Sequence, residues 1–332
     1  MNPSTSIQNI QIEGVEYFSF PIDAAIEYSP KIATGFYVPL GPKKKVRIEI
    51  EGNIAQKLQN YKDKGLKNIL LAQADYDRFM WRVKRGLTIF FFNELATSKK
   101  LTDREVFIIL RKAIKVIGLK EDIAKICEPL ISQNLKFIRT SSHLNTAFKL
   151  YSNQCQEQYI FHLFRAYLSV ALAQEAGLPP HIYDKFIQVN LLCDLQLSAA
   201  DYESYYVHQD DPSKWTENYR EHPKQMARFI ERHLSHTIGP EVVKWVELHE
   251  ENPDGSGFPF GMQAASFDQM TSIIIVSRLF MKGLLESEFS YQERKSFLDT
   301  LVSEKMNSSH FKNTRKALYR IMNLVDNEDT QL

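Results

Sequence analysis

The stretch His249-Glu250-Glu251-Asn252-Pro253-Asp254-Gly255-Ser256-Gly257-Phe258-Pro259 decides how this chain is read. An imidazole and three carboxylates stand ahead of a loop that Gly255 and Gly257 turn sharply. Glycine takes backbone conformations closed to other residues, so such a pair lets the chain fold tightly after a helix. Histidine and carboxylates placed there form a metal-ligand pattern.

Further candidates lie upstream and downstream in segments with helical periodicity, which runs from about Asp75 onward. His162 sits in Tyr159-Ile160-Phe161-His162-Leu163-Phe164, a helix apolar on most sides, ended by Gly177 and Pro179-Pro180. Cys193-Asp194 follows Leu191-Leu192. His222 precedes Pro223 where a helix is expected to open. His249 and Glu250 end a helix that starts near Pro240, and Arg278 follows the apolar run 273–276. Taken singly, His162 reads as a satisfied core histidine. His222 reads as a residue at a helix start, His249 as a cation at a helix C-terminus, and Glu250 and Glu251 as a solvated acidic face. Asp194 is harder to dismiss, because an ionised carboxylate in an apolar run needs a partner.

Together these segments resemble HD-GYP domains, whose loop signature reads His-His-Glu-x-x-Asp-Gly-x-Gly-Tyr-Pro. The order and approximate spacing agree over residues 157 to about 285, including the connection Pro212-Ser213-Lys214-Trp215-Thr216 into His222-Pro223. The resemblance implies a mainly α fold: an HD-type helical bundle preceded by a small α/β N-terminal domain. It also implies a metal-binding cleft of the cyclic di-GMP phosphodiesterase kind.

The chain departs from that pattern at six positions. Cys193 stands for the His of a His-Asp pair, Leu197 for a Lys, Glu250 for a second His, and Phe258 for the loop Tyr. Ser272 stands for an Arg and Arg278 for a late Asp. In the family the Lys and the Arg are associated with substrate phosphates. One of two family metals would need His162, Cys193, Asp194 and Arg278. A guanidinium cannot ligate, so His162 is a remnant there. The other would need Asp194, His222, His249 and Glu250, a set suited to a single iron, manganese or zinc ion. The implied cofactor is therefore none or one divalent transition metal.

The resemblance then implies a degenerate, non-catalytic regulatory or scaffold protein in bacterial cyclic di-GMP signalling. The alternatives are a divergent metal-dependent phosphodiesterase and a small-ligand sensor using the old cleft. Gly255, Gly257, Phe258 and Pro259 are expected to form a contact loop for a GGDEF-type or other signalling partner, or else Phe258 anchors the loop to its own core. A homodimer is a further possibility. Arg278 is expected to replace the lost metal by pairing with Asp194.

The rest of the chain sets bounds. Its 332 residues carry 41 basic and 40 acidic side chains, a formal charge of +1 that offers nothing to a polyanion. Cys127, Cys155 and Cys193 are too far apart for a disulfide framework. Residues 1–9 are polar, and 87–92 and 273–276 are too short to span a bilayer. A cytoplasmic protein with no membrane or nucleic-acid partner is expected. The domains are read as 1–76, small α/β; 77–150, a helical connection; 151–325, the HD-GYP-like region; and 326–332, a flexible tail. Within the first, 36–40 and 46–50 read as a hairpin around Gly41-Pro42-Lys43-Lys44-Lys45, 53–64 as a helix stopped by Gly65, and 68–71 as a strand. The lysines read as a solvated turn. Thr102-Asp103-Arg104-Glu105, ahead of a helix ending near Gly118, and Ser290-Tyr291-Gln292-Glu293 read as capping boxes.

Overall fold

The computed structural model describes residues 10–12, 14–22, 25–26, 35–41, 44–49, 52–76, 78, 102–116, 119, 122–208, 211–286 and 308–321. The polar residues 1–9, the apolar run 87–92, the turn residues Pro42 and Lys43, the helix end at Gly118, the box at Ser290 and the C-terminal tail lie outside them.

The N-terminal unit is a five-stranded antiparallel sheet of β1 (Ile10–Ile12), β2 (Val15–Pro21), β3 (Phe36–Gly41), β4 (Lys44–Ile48) and β5 (Asn68–Ala72), in the order β1-β2-β5-β3-β4. Successive side chains on a strand face opposite ways. Phe18, Phe20, Phe36, Ile69 and Leu71 therefore share one core, which helix α1 (Ile54–Asp63) covers with Ile54 and Leu58. Asn53 caps that helix by accepting a hydrogen bond from the Gln56 amide at 3.2 Å. The helix and final strand fall where the sequence puts them, and the hairpin does so with a shorter turn, its second strand starting at Lys44 rather than Val46. The first hairpin, β1–β2, was not read from the sequence. Lys45 belongs to β4 rather than to a free turn, and its ammonium sits 4.1 Å from the Tyr17 ring centre.

The described residues from Asp103 onward are mainly helical: α2 (Asp103–Val116), α3 (Asp122–Thr140), α4 (Asn145–Gln154), α5 (Gln156–Glu175), α6 (Tyr183–Leu192), α7 (Ala199–Val207), α8 (Glu217–His233), α9 (Pro240–Leu248), α10 (Gln269–Glu286) and α11 (Ser309–Ile321). Thr102 and Glu105 form the expected capping box on α2, with bonds of 2.8 and 3.3 Å. Helix α5 is buried on nearly every side, and α3, α6, α10 and α11 pack around it. Residues of α2 and α3, in the stretch read as a connection, share one core with α5 through α11. The fold is thus mainly α, a helical bundle after a small α/β unit.

Helix α8 corrects one reading. It opens not at His222-Pro223 but at Glu217, where the Thr216 hydroxyl accepts from the Tyr219 amide at 3.1 Å. Pro223 lies inside the helix.

Phe186 of α6 is fully buried and stacks on Trp245 of α9, ring centres 5.4 Å apart. Phe186→Ala should cost about 3–5 kcal/mol, the range for emptying a large aromatic site. A urea melt with a loss under about 1 kcal/mol would show that the α6–α9 packing is not structural.

Candidate metal centre

The helical packing carries four polar side chains into one place. His162 comes from the middle of α5, Asp194 from the turn after α6, His222 from α8 and His249 from the end of α9. All four are buried, at 7%, 5%, 1% and 0% exposure.

Asp194 is the hub. Its Oδ1 lies 3.0 Å from His249 Nε2 and 3.3 Å from His222 Nε2, and the two imidazole nitrogens are 3.1 Å apart. Its Oδ2 lies 3.1 Å from His162 Nε2 and accepts a 2.7 Å bond from the Tyr202 hydroxyl. Burial works to raise the Asp194 carboxyl. The charge of His162 and hydrogen bonds from His162, His222 and His249 outweigh it and hold the group well below the usual carboxylate range. Burial, reinforced by Asp194, pushes the Tyr202 phenol up, so that it stays a donor.

Each histidine is oriented by a backbone carbonyl. His162 Nδ1 lies 2.8 Å from Asn190 O, in the last turn of α6, and His249 Nδ1 lies 2.7 Å from Val246 O, in the last turn of α9. Carbonyls in a helix's last turn lack an intrahelical partner. His222 Nδ1 lies 2.6 Å from Tyr219 O, mid-helix. That carbonyl would normally bond the amide four residues on, but residue 223 is proline and has none. The His-Pro pair thus frees the acceptor that fixes the ring. With Nδ1–H given to a carbonyl, Nε2 donates to Asp194 when the ring is protonated and presents a lone pair when it is neutral.

When both rings are neutral, His222 Nε2, His249 Nε2 and Asp194 Oδ1 converge as three acceptors. Their separations of 3.0, 3.1 and 3.3 Å are close to the edge, about 3.3 Å, of a tetrahedron with zinc-like bonds of about 2.0 Å. The donor set fits one divalent transition metal. Without one, a shared proton must hold the cluster. Burial works against charge on His222, yet its bond to Asp194 raises its pKa, whereas burial keeps His249 lowered.

His162, Cys193 and Asp194 also come together. This second group is poorer. The Cys193 sulfur lies 3.5 Å from His162 Nδ1, the nitrogen engaged by Asn190, and receives a 2.9 Å bond from Arg165. Burial and then Asp194 push its thiol well up, away from the thiolate a metal needs. Arg165 also donates to the Asn190 side chain.

Arg278 does not pair with Asp194, as the sequence led us to expect. Its Nη1 lies 3.3 Å from Glu250 Oε2, and its Nη2 donates to Glu251 O at 2.8 Å and Asn252 Oδ1 at 2.6 Å. Three imidazoles and a phenol already surround Asp194, whereas Glu250 had no such partners. Glu250 Oε1 stands 3.6 Å from His249 Nε2, at the edge of the donor set. Burial works to raise the Glu250 carboxyl, and the charges of Arg278 and His249 override it.

Glu251 is no solvated acid. It is fully buried, and its carboxylate accepts from the Phe260 and Met262 amides at 2.6 and 2.8 Å, closing the loop on itself. A Cβ at Gly257 would meet the Asn252 nitrogen at 2.1 Å, and Gly255 has φ of +79°, so both positions require glycine. Phe258 is half-buried, with ring centres 5.7 Å from Trp215 and 6.0 Å from both Tyr219 and His222. It anchors the loop over the His222 ring. The exposed aromatic of the loop is Phe260, beside Lys224. Pro259 is half-buried. Leu197 is buried, and Ser272 bonds Thr314 of α11 at 2.7 Å.

Beside the cluster opens a cleft of about 270 Å³. It is lined by His162, Asp194, Glu250 and Arg278, and by Arg165, Lys282 and the tyrosines 202, 205, 206 and 219, none of which was singled out from the sequence. The signals were present: Tyr202, Tyr205 and Tyr206 recur at helical spacing, and Arg165 interrupts an apolar helix just as Asp194 interrupts an apolar run.

Fold and site together define a helical-bundle protein with a buried His–Asp cluster. No protein-family model and no curated protein matches the chain. A solved structure of Bd1817, an HDG"Y"P protein from Bdellovibrio bacteriovorus, aligns with 92% of this chain and 99% of its own, at 16% identity and a TM-score of 0.37. That likeness is too distant to support an argument about the site. Among the described residues no helix is long and apolar enough to cross a membrane.

Two outcomes follow for chelator-treated protein. Pro223→Ala returns an amide to the Tyr219 carbonyl, so the His222 ring should lose its single tautomer. Imidazole nitrogen shifts unchanged from wild type would contradict that. Asp194, with its depressed folded pKa, should stabilise the fold above the unfolded value of about 3.9. That contribution is lost as pH falls through the folded value. Asp194→Asn should therefore flatten the acid limb of the stability profile. An unaltered limb counts against the hub role.

Proposed function

We propose that this chain is a regulatory, non-hydrolysing relative of HD-GYP domains whose cleft holds one divalent transition metal. The observation behind this reading is the unequal fate of the two Asp194 oxygens. Oδ1 converges with the Nε2 atoms of His222 and His249, a donor set for an ion once both rings are neutral. Oδ2 is closed by the Tyr202 hydroxyl and His162, next to a thiol held by Arg165. Two-metal phosphodiester hydrolysis clamps the attacking and leaving oxygens between two ions. Asp194, His222 and His249 would hold a single ion, with Glu250 beside them. When bound, it would supply positive charge and Lewis acidity at the cleft floor. His162 and Tyr202 would then serve to keep Asp194 ionised and in place.

A ligand-sensing role is the second reading. It is favoured by Arg278 and Lys282, which line the cleft although Leu197 and Ser272 offer no cation. In the scaffold role, the part of the loop open to a GGDEF-type or other signalling partner is Phe260 with Lys224, while Phe258 holds the loop in place.

Protein purified without chelators should carry a single transition-metal ion per chain and should not turn over cyclic di-GMP with Mn²⁺ or Fe²⁺. Two ions per chain, or turnover of at least about 1 per second that Asp194→Ala abolishes, would overturn the reading. Metal binding should displace the His222 proton. Because that pKa is raised, affinity should fall with decreasing pH from above the ordinary histidine value of 6.5. A pH-independent affinity between about pH 6 and 8 would contradict this, since ordinary histidines titrate there.

A further inference from the structure

Glu250 is held between two demands. One oxygen lies 3.6 Å from the His249 nitrogen that faces the metal donors, and the other lies 3.3 Å from Arg278. Three donors converge on the proposed ion, and zinc-like ions ordinarily take four. Glu250 is the nearest further carboxylate in the cleft, but its charge is engaged by Arg278.

Arg278 is itself incompletely satisfied, because its buried Nε–H has no partner. Lys282 stands one helical turn further along α10, on the same face, and donates to the Tyr205 hydroxyl at 2.7 Å. Among the described residues that line the cleft, Arg165, Arg278 and Lys282 are the cations, and Glu250 is the carboxylate against Arg278. If Glu250 turns to the ion, Arg278 keeps the Glu251 carbonyl and the Asn252 side chain but loses its counter-charge. A buried guanidinium in that state favours an anion. Phe161, Met281, Tyr205 and Tyr206 supply apolar and aromatic wall beside the two cations.

We infer that Glu250 and Arg278 form a latch that couples the metal centre to a subsite, between Arg278 and Lys282, for a small phosphate monoester. Occupation of the metal draws Glu250 inward and releases Arg278 to the phosphate. Phosphate binding at Arg278 in turn frees Glu250 for the ion, since coupling between two binding equilibria is reciprocal. The inference rests on the single-metal reading and goes beyond it by naming a ligand class and its linkage.

Phenyl phosphate serves as the probe, with inorganic phosphate as a second arm to separate the head group from the ring. Mn²⁺-loaded protein, desalted of excess ion, and chelator-treated protein are each titrated by calorimetry. The loaded form should bind phenyl phosphate about tenfold more tightly, and Glu250→Gln should reduce that ratio to below about threefold, a loss of most of an ordinary coupling. Arg278→Gln should abolish phenyl phosphate binding while tightening Mn²⁺ binding, with folding checked by circular dichroism. Lys282→Ala, at the cleft rim, should weaken the phosphate and leave Mn²⁺ affinity unchanged. Equal affinity in loaded and metal-free protein would overturn the latch. So would a ratio that survives Glu250→Gln, which would mean that the anion sits on the ion itself. Bound metal without coupling removes this inference and leaves the metal reading standing. Protein that takes up no metal under any condition removes both.

Discussion

Asp194 is a carboxylate 5% exposed at the end of an apolar helix, and the architecture of the helical bundle answers it. A buried charge of this kind is untenable unless paired and hydrogen-bonded. Three helices besides its own deliver an imidazole each, and α7 delivers the Tyr202 hydroxyl, itself 3.1 Å from the Tyr151 hydroxyl of α4. The burial that would raise the Asp194 carboxyl therefore also strengthens the bonds that lower it. The competition is won by the number and closeness of partners, not by any one of them.

Those partners are aimed by backbone left over from helix geometry. Helix ends leave carbonyls without amides, and His162 and His249 take one each. His222 lies too far inside α8 to find such an end, and Pro223 creates one locally by withholding its amide. One rule explains three rings: a carbonyl lacking its helical partner accepts Nδ1–H and turns Nε2 toward Asp194. An interior proline ordinarily weakens a helix, so its position beside His222 makes sense as a local loss that serves the site.

This logic sets what could be read from sequence. The sheet hairpin, α1 and the α2 capping box were legible because turns, caps and alternation are local. His162, Asp194, His222 and His249 were legible as a set because their order and spacing resemble the HD-GYP pattern, although only His162 and Asp194 interrupt apolar runs. Pro223 misled, since a proline ahead of polar residues looks like a first turn when the real cap, Thr216, is a turn and more upstream. The partner of Arg278 was not legible. Charge balance said that a cation near Asp194 should pair with it, but only the packed helices reveal that Asp194 is already surrounded and Glu250 is not. Lys282 and the tyrosines of α7 were passed over because a lysine or tyrosine on a helix face has no meaning until the facing helix is known.

The departures from the HD-GYP-like pattern meet one another in space. Glu250 and Arg278 lie on different elements, and each alone would strand a charge in a buried cleft, yet side by side they neutralise each other. Cys193 similarly lies against Arg165, whose guanidinium also engages the Asn190 side chain, while the Asn190 backbone orients His162. Through its bond to the Glu251 carbonyl, Arg278 further ties α10 to the loop that Glu251 closes and Phe258 seats over His222. Here Glu250 and Arg278 neutralise each other beside a cluster in which His222, His249 and Asp194 still converge.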